Sequence, residues 1–212
     1  MIRIEGLTKR YGSNNVLDGV NFSFERGMVY GIVGANGAGK TTLFKCIAGL
    51  EDFEGTISSE YEKQKNHIGF LPTDPYYLSR MTGREYIQLV CTARKNRLID
   101  IDDRNVFDLP LDQYASTYST GMKKKLALIA ILIQGFDIFI LDEPFNGVDI
   151  HGNLLITEII RKLKTLGKTI LISSHILSTL TDTCDEIHIF EQGTVARKVE
   201  REQFPDLAQA MK

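Results

Sequence analysis

The chain has 212 residues, enough to bury one sizeable hydrophobic core with a small second lobe and too few for two such cores. Its 25 Lys and Arg nearly balance 27 Asp and Glu, and a formal net charge of -2 argues against a general nucleic-acid coat. Three cysteines, Cys46, Cys91 and Cys184, are an odd number without C-x-x-C spacing, which speaks against a disulfide framework or a zinc site and for reduced core thiols.

The N-terminal stretch MIRIEGLTKRYG lacks the apolar run of a signal peptide, so a cytoplasmic chain is expected. MIRIEGL, VLDGVNFSFERG and MVYGIVG alternate apolar and polar residues in part. They predict short strands with turns at YGSNN and ERG, an antiparallel edge leading into a central strand. That strand, with Met28, Val29, Tyr30, Ile32 and Val33, runs into a glycine-rich turn. TTLFKCIAGL comes next and spaces Leu43, Phe44 and Ile47 for one face of a helix. GTISS and HIGFLP predict two further strands, ended by Pro72 and Pro75.

Between 76 and 121 the pattern changes: TGREYIQLVCTARK opens with Thr82 and Glu85 at capping-box spacing and continues with helical periodicity. A small, mostly helical inserted lobe is expected there. Helix GMKKKLALIAILIQG, strand FDIFILDEP, helix IHGNLLITEIIRKLKTLG and strand KTILISSH then alternate, which implies an α/β core with a largely parallel sheet. The longest apolar run, LALIAILI at 126–133, is far too short to span a bilayer. EIHIFEQGTVARKVE reads as a hairpin turning at Gln192 and Gly193. The expected organisation is one domain over 1–212, with a core of 1–75 and 122–212 and the lobe at 76–121.

The glycine-rich turn carries the first chemistry. Gly34 to Thr41 fits G-x-x-x-x-G-K-[ST] between a strand and a helix, where backbone N–H groups and the helix N-terminus converge on an anion. Gly34, Asn36, Gly37, Ala38, Gly39, Lys40, Thr41 and Thr42 are therefore candidate binding residues for a nucleoside triphosphate. In this pattern Lys40 reaches the outer phosphates and the Thr41 hydroxyl joins a Mg²⁺ shell. FDIFILDEP delivers Asp142 and Glu143 where a buried strand emerges, which assigns Asp142 to the metal and Glu143 to the attacking water. His175 follows TILISS at another strand end, on the rim where open α/β sheets bind ligands, and is a candidate γ-phosphate contact. In YSTGMKKK three lysines, Lys123 to Lys125, begin a helix although its dipole favours anions at that end. A phosphate arriving from outside reconciles the two, with Ser119 and Gly121 offering a hydroxyl and a backbone N–H.

The order of GANGAGKTT, YSTGMKKK, ILDEPFNGVD and SSH resembles the nucleotide-binding subunits of ATP-binding-cassette (ABC) transporters over nearly the whole chain. The resemblance implies a P-loop NTPase fold: a mostly parallel α/β sheet, an N-terminal antiparallel β-subdomain and a small helical subdomain. It implies ATP and Mg²⁺ as cofactors and a Mg-dependent ATPase. Tyr118 to Met122 would reach ATP held by a second subunit in a head-to-tail dimer, expected to be a homodimer, which would account for a cationic helix start exposed at the surface. Tyr11 is similar to the residue that stacks on adenine, and Asn146 to Asp149 to the loop linking the two sites. A separate transmembrane permease is the implied partner, which would place the chain on the inner face of the cell membrane.

Two departures from the family pattern stand out. Thr120 and Met122 replace a glycine and the glutamine of L-S-G-G-Q, and Thr73, followed by Asp74, stands where a glutamine touching Mg²⁺ or water is usual. Thr73 is thus a metal-site candidate, with the choice between it and Asp74 for the glutamine's role left open by the sequence. YSTGM and NGVD look most like the exporter-type branch. A soluble ABC-type ATPase outside transport is the alternative reading; the coiled-coil insertion and the tandem cassette of such members are not found in this sequence.

Overall fold

The computed structural model describes residues 1–94 and 100–210. Two sheets are built. The first is antiparallel, in the order β2-β1-β4, from β1 (Ile2–Tyr11), β2 (Asn14–Phe24) and β4 (Glu54–Ser59). The second comprises β3 (Val29–Val33), β5 (Ile68–Leu71), β6 (Ile138–Asp142), β7 (Thr169–Ser174), β8 (Glu186–Glu191) and β9 (Thr194–Glu200). Their order is β5-β6-β7-β3-β8-β9, parallel throughout except for the β9 edge. The N-terminal strands thus form a sheet of their own rather than an edge of the main one, and GTISS joins them as β4.

The central strands are uninterrupted apolar runs because both faces are covered. Tyr30, Ile32, Ile138, Ile140 and Leu171 face one core together with the antiparallel sheet and α1 (Lys40–Ile47). Their neighbours in sequence, Val29, Val33, Phe139, Leu141, Ile170 and Ile172, face a second core. That core is closed by α3 (Thr120–Ile133) and α4 (Ile150–Thr165). The short α5 (Leu177–Thr181) and α6 (Phe204–Ala210) complete the chain. No helix among the described residues is long and apolar enough to cross a membrane.

In the 76–121 segment, α2 (Gly83–Ala93) begins with the expected capping box, Thr82 accepting from the Glu85 N–H and Glu85 accepting from the Thr82 N–H. Beyond it the described residues hold a short 3₁₀ turn at 115–117 and loops, so this segment is less helical than its α2 periodicity suggests. The acidic, Pro-containing stretch IDDRNVFDLPLD favours turns over helix. It is tied instead by Arg84, whose guanidinium donates to Asp102 at 2.9 Å and to Asp112 at 2.7 Å.

Candidate functional site

The parallel strands β3, β6 and β7 end on one rim, and the site is assembled from the residues at and just beyond those strand ends. After β3 the chain turns through 34–39 into α1, whose N-cap Gly39 sits at φ 106, a conformation costly for any residue with a Cβ. Gly34 is required by proximity: a Cβ there would lie 2.3 Å from the Phe190 carbonyl oxygen. The turn borders a cleft of about 360 Å³ lined by Asn36, Lys40, Thr41, Thr73, Asp142 and Glu143. On its other flank a second cavity of about 710 Å³ is lined by Gly34, His175 and Gln192 among others. Lys40 is buried and donates to the carbonyls of Gly34 at 2.6 Å and Ala35 at 3.1 Å, which bends its ammonium back over the turn.

Asp142 is fully buried at the end of β6 and accepts three hydroxyls. Thr41 and Thr73 donate to Oδ2 at 2.7 and 2.6 Å, and Ser173 donates to Oδ1 at 2.5 Å. Thr73, not the exposed Asp74, therefore stands against the carboxylate. Every group gathered here is an oxygen donor, the chemistry a hard divalent cation prefers. Glu143 comes next at φ 51, in the left-handed region, with its N–H donating to Ser173 Oγ at 2.9 Å. Its carboxylate Oε2 lies 2.9 Å from His175 Nδ1. The structure thus joins Lys40, Thr41, Thr73, Asp142, Glu143 and His175 into one constellation.

Tyr11 ends β1 half-exposed, with the Lys9 ammonium 4.9 Å from its ring centre. Desolvation first and the neighbouring Glu51 carboxylate second hold its phenol pKa up, while the Thr42 hydroxyl works the other way. Ser119 and Gly121 line neither cavity. Ser119 caps α3 by accepting from the Met122 N–H at 3.2 Å. Gly121 packs on the loop after Glu143: a Cβ on it would meet the Gly147 carbonyl at 2.4 Å.

The lysine run departs from expectation. Lys124 and Lys125 are buried, so no exposed three-lysine cluster awaits an anion. Lys125 donates to Asp149 Oδ2 at 2.6 Å, and Lys124 donates to the Glu143 carbonyl oxygen at 2.6 Å. Burial lowers the Lys124 pKa, against the opposing pull of Asp74, Glu143 and Asp142. The physical reason is spacing: positions 124 and 125 of the helix turn inward against the 143–149 loop, which sequence proximity does not reveal. Ser173 is a site residue that the sequence motifs do not single out. Its signal is two serines closing an otherwise apolar strand run, TILISS.

Residues 17–146 match the family model described as ABC transporter. The lantibiotic transport ATP-binding protein SrtF of Streptococcus pyogenes is 32% identical over 209 residues, covering 92% of this chain and 89% of that protein. Among solved structures, the ATP binding subunit of an ABC transporter is 28% identical with a TM-score of 0.85, covering 100% of this chain and 93% of that one. A dimeric ATP-binding cassette in a post-hydrolysis state, bound to ADP and Pi, is 19% identical and shares the fold at a TM-score of 0.84 over 95% of this chain and 99% of its own.

Proposed function

This chain belongs to the ABC transporter family as an ATP-binding, ATP-hydrolysing subunit, and from that premise we propose a division of labour among the residues of its cleft. The observation that carries it is the contact of Glu143 with His175 beside a buried Asp142 ringed by hydroxyls. The phosphate loop from Gly34 through Asn36, Gly37, Ala38 and Gly39 to Thr42 holds the triphosphate through backbone N–H groups, with Lys40 swinging from its carbonyl partners to the outer phosphates. Tyr11 stacks on the base. Asp142, Thr41 and Thr73 hold Mg²⁺, which supplies charge neutralisation at the phosphate oxygens when bound. Glu143 orients the attacking water and takes up its proton, while His175 fixes the Glu143 carboxylate and meets the γ-phosphate.

The subunit works with a second nucleotide-binding subunit and a separate membrane permease. Ser119 and Gly121 act on the ATP of that second subunit, which is a second copy of this chain. Closure of the dimer and its reopening after hydrolysis move the permease from the inner face of the membrane, in the direction of export. Support for export is the exporter-like form of YSTGM and NGVD.

Glu143→Gln tests the assignment. It should bind ATP as wild type does, turn over at least about a hundredfold more slowly because general-base help is gone, and accumulate as a closed dimer in size-exclusion chromatography with ATP. Turnover equal to wild type would remove Glu143 from this role. Affinity purification of the tagged chain from detergent-solubilised membranes, with a multi-spanning protein recovered in stoichiometric amount, tests the permease and the membrane location together.

A further inference from the structure

The geometry points to Lys124 as a positioning residue for Glu143, an ammonium on α3 that holds the water-orienting carboxylate in place through its backbone; this rests on the role proposed for Glu143. Three observations converge. Glu143 has a left-handed backbone, φ 51, a conformation that a residue with a side chain keeps only when its surroundings impose it. The constraints on its peptide groups come from opposite sides: the Glu143 N–H donates to Ser173 Oγ at 2.9 Å, and the Glu143 carbonyl accepts from Lys124 Nζ at 2.6 Å. Lys124 is 1% exposed, so its ammonium has given up water for this bond and for the field of the carboxylates around it.

The helix that carries Lys124 matters as much as the bond. Ser119 caps α3, Gly121 lies against the Gly147 carbonyl, Lys124 holds Glu143 and Lys125 holds Asp149. The first two turns of α3 are therefore fastened to the 143–149 loop at three points along its length.

The test measures ATP affinity and steady-state phosphate release on the purified full chain carrying Lys124→Met, which keeps the apolar stem and removes the donor, and Lys124→Gln, which keeps a shorter, neutral donor. The expected order of kcat is wild type, then Gln about three- to tenfold lower, then Met at least about thirtyfold lower, with ATP Kd within twofold throughout. In the double variant Glu143→Gln with Lys124→Met, turnover should fall no further than in Glu143→Gln alone, as two changes acting through one group require. Wild-type kcat in Lys124→Met, equal losses in Met and Gln, or a loss carried by Kd rather than kcat would overturn the proposal. Should Lys124→Met lose its cooperative melting transition, Lys124→Gln decides: a three- to tenfold lower kcat at unchanged Kd supports it, and unchanged kcat or weakened ATP binding overturns it. Glu143→Gln in the same assay separates the two levels. If that variant turns over normally, the role of Glu143 fails. If it is inactive while Lys124→Met is not impaired, only the role of Lys124 fails.

Discussion

The two ends of the same three strands solve one electrostatic problem in opposite ways. Immediately before β5, β6 and β7 stand His67, Asp137 and Lys168, and Asp137 lies 2.8 Å from His67 Nδ1 and 2.9 Å from the Lys168 ammonium. At the far end Asp142 meets Thr73 from beyond β5 and Ser173 on β7, with Thr41 of α1 as a third partner. Each end of β6 sets an aspartate between groups from its two neighbours, Asp137 just before the strand and Asp142 as its last residue. At the first end the partners include a cation, which offsets the carboxylate. At the second end hydrogen-bonding partners among the described residues are hydroxyls only, and the carboxylate is fully buried. Hydroxyls satisfy lone pairs without cancelling charge, which fits the cation site proposed for this end.

That contrast predicts the largest effect at Asp142. Asp142→Asn keeps the volume and removes the charge, and loss of several kcal/mol of metal-borne charge stabilisation corresponds to about a thousandfold or more in kcat. Its melting temperature without nucleotide should not fall, because a buried charge lacking a cationic partner in hydrogen-bond reach is replaced by a neutral amide. Phosphate release and differential scanning calorimetry read the two quantities. A large loss of stability with activity retained would make Asp142 a structural residue like Asp137. Thr73→Val probes the same centre more gently: one hydrogen bond to a charged group is lost, about 1.5 kcal/mol or more, hence about tenfold in kcat with ATP affinity kept. An unchanged kcat would show that Thr41 and Ser173 suffice to orient Asp142.

What was legible in the sequence divides along a related line. The phosphate loop is local, eight positions between a strand and a helix, and the structure has that strand end at Val33 and that helix begin at Lys40. The alternation of apolar strand runs with helices announced a largely parallel α/β sheet, and the hairpin at Gln192 and Gly193 carried its own turn chemistry. Groups that meet across long separations carried no such signal. Lys124 and Lys125 looked like a surface cluster because nothing nearby in sequence says that the 143–149 loop folds over them. Ser173 reaches Asp142 only through the β6–β7 register, which pairs those two residues. The row of His67, Asp137 and Lys168 stayed hidden for the same reason, since strand register, not spacing, aligns it.

The smallest predicted effect lies at that row. Lys168 first and His67 second hold the Asp137 carboxyl below its ordinary pKa, so the folded state favours the ionised form more than the unfolded chain does. A group depressed on folding contributes its stability in full above its unfolded pKa, about 3.9, and loses it as pH falls through the lower folded value. Asp137 is about a third exposed, which screens the pair and limits the contribution to roughly 0.5–1 kcal/mol. Asp137→Asn should therefore lower the unfolding free energy by about that amount at pH 7, leave kcat unchanged, and differ progressively less from wild type as pH drops below about 4. Denaturant titrations of both proteins at pH 7 and in acid measure the gap. A gap that widened in acid would reverse the sign and mean that Asp137 is stabilised by something other than its cationic neighbours; a fall in kcat would mean that the two ends of β6 do not act independently.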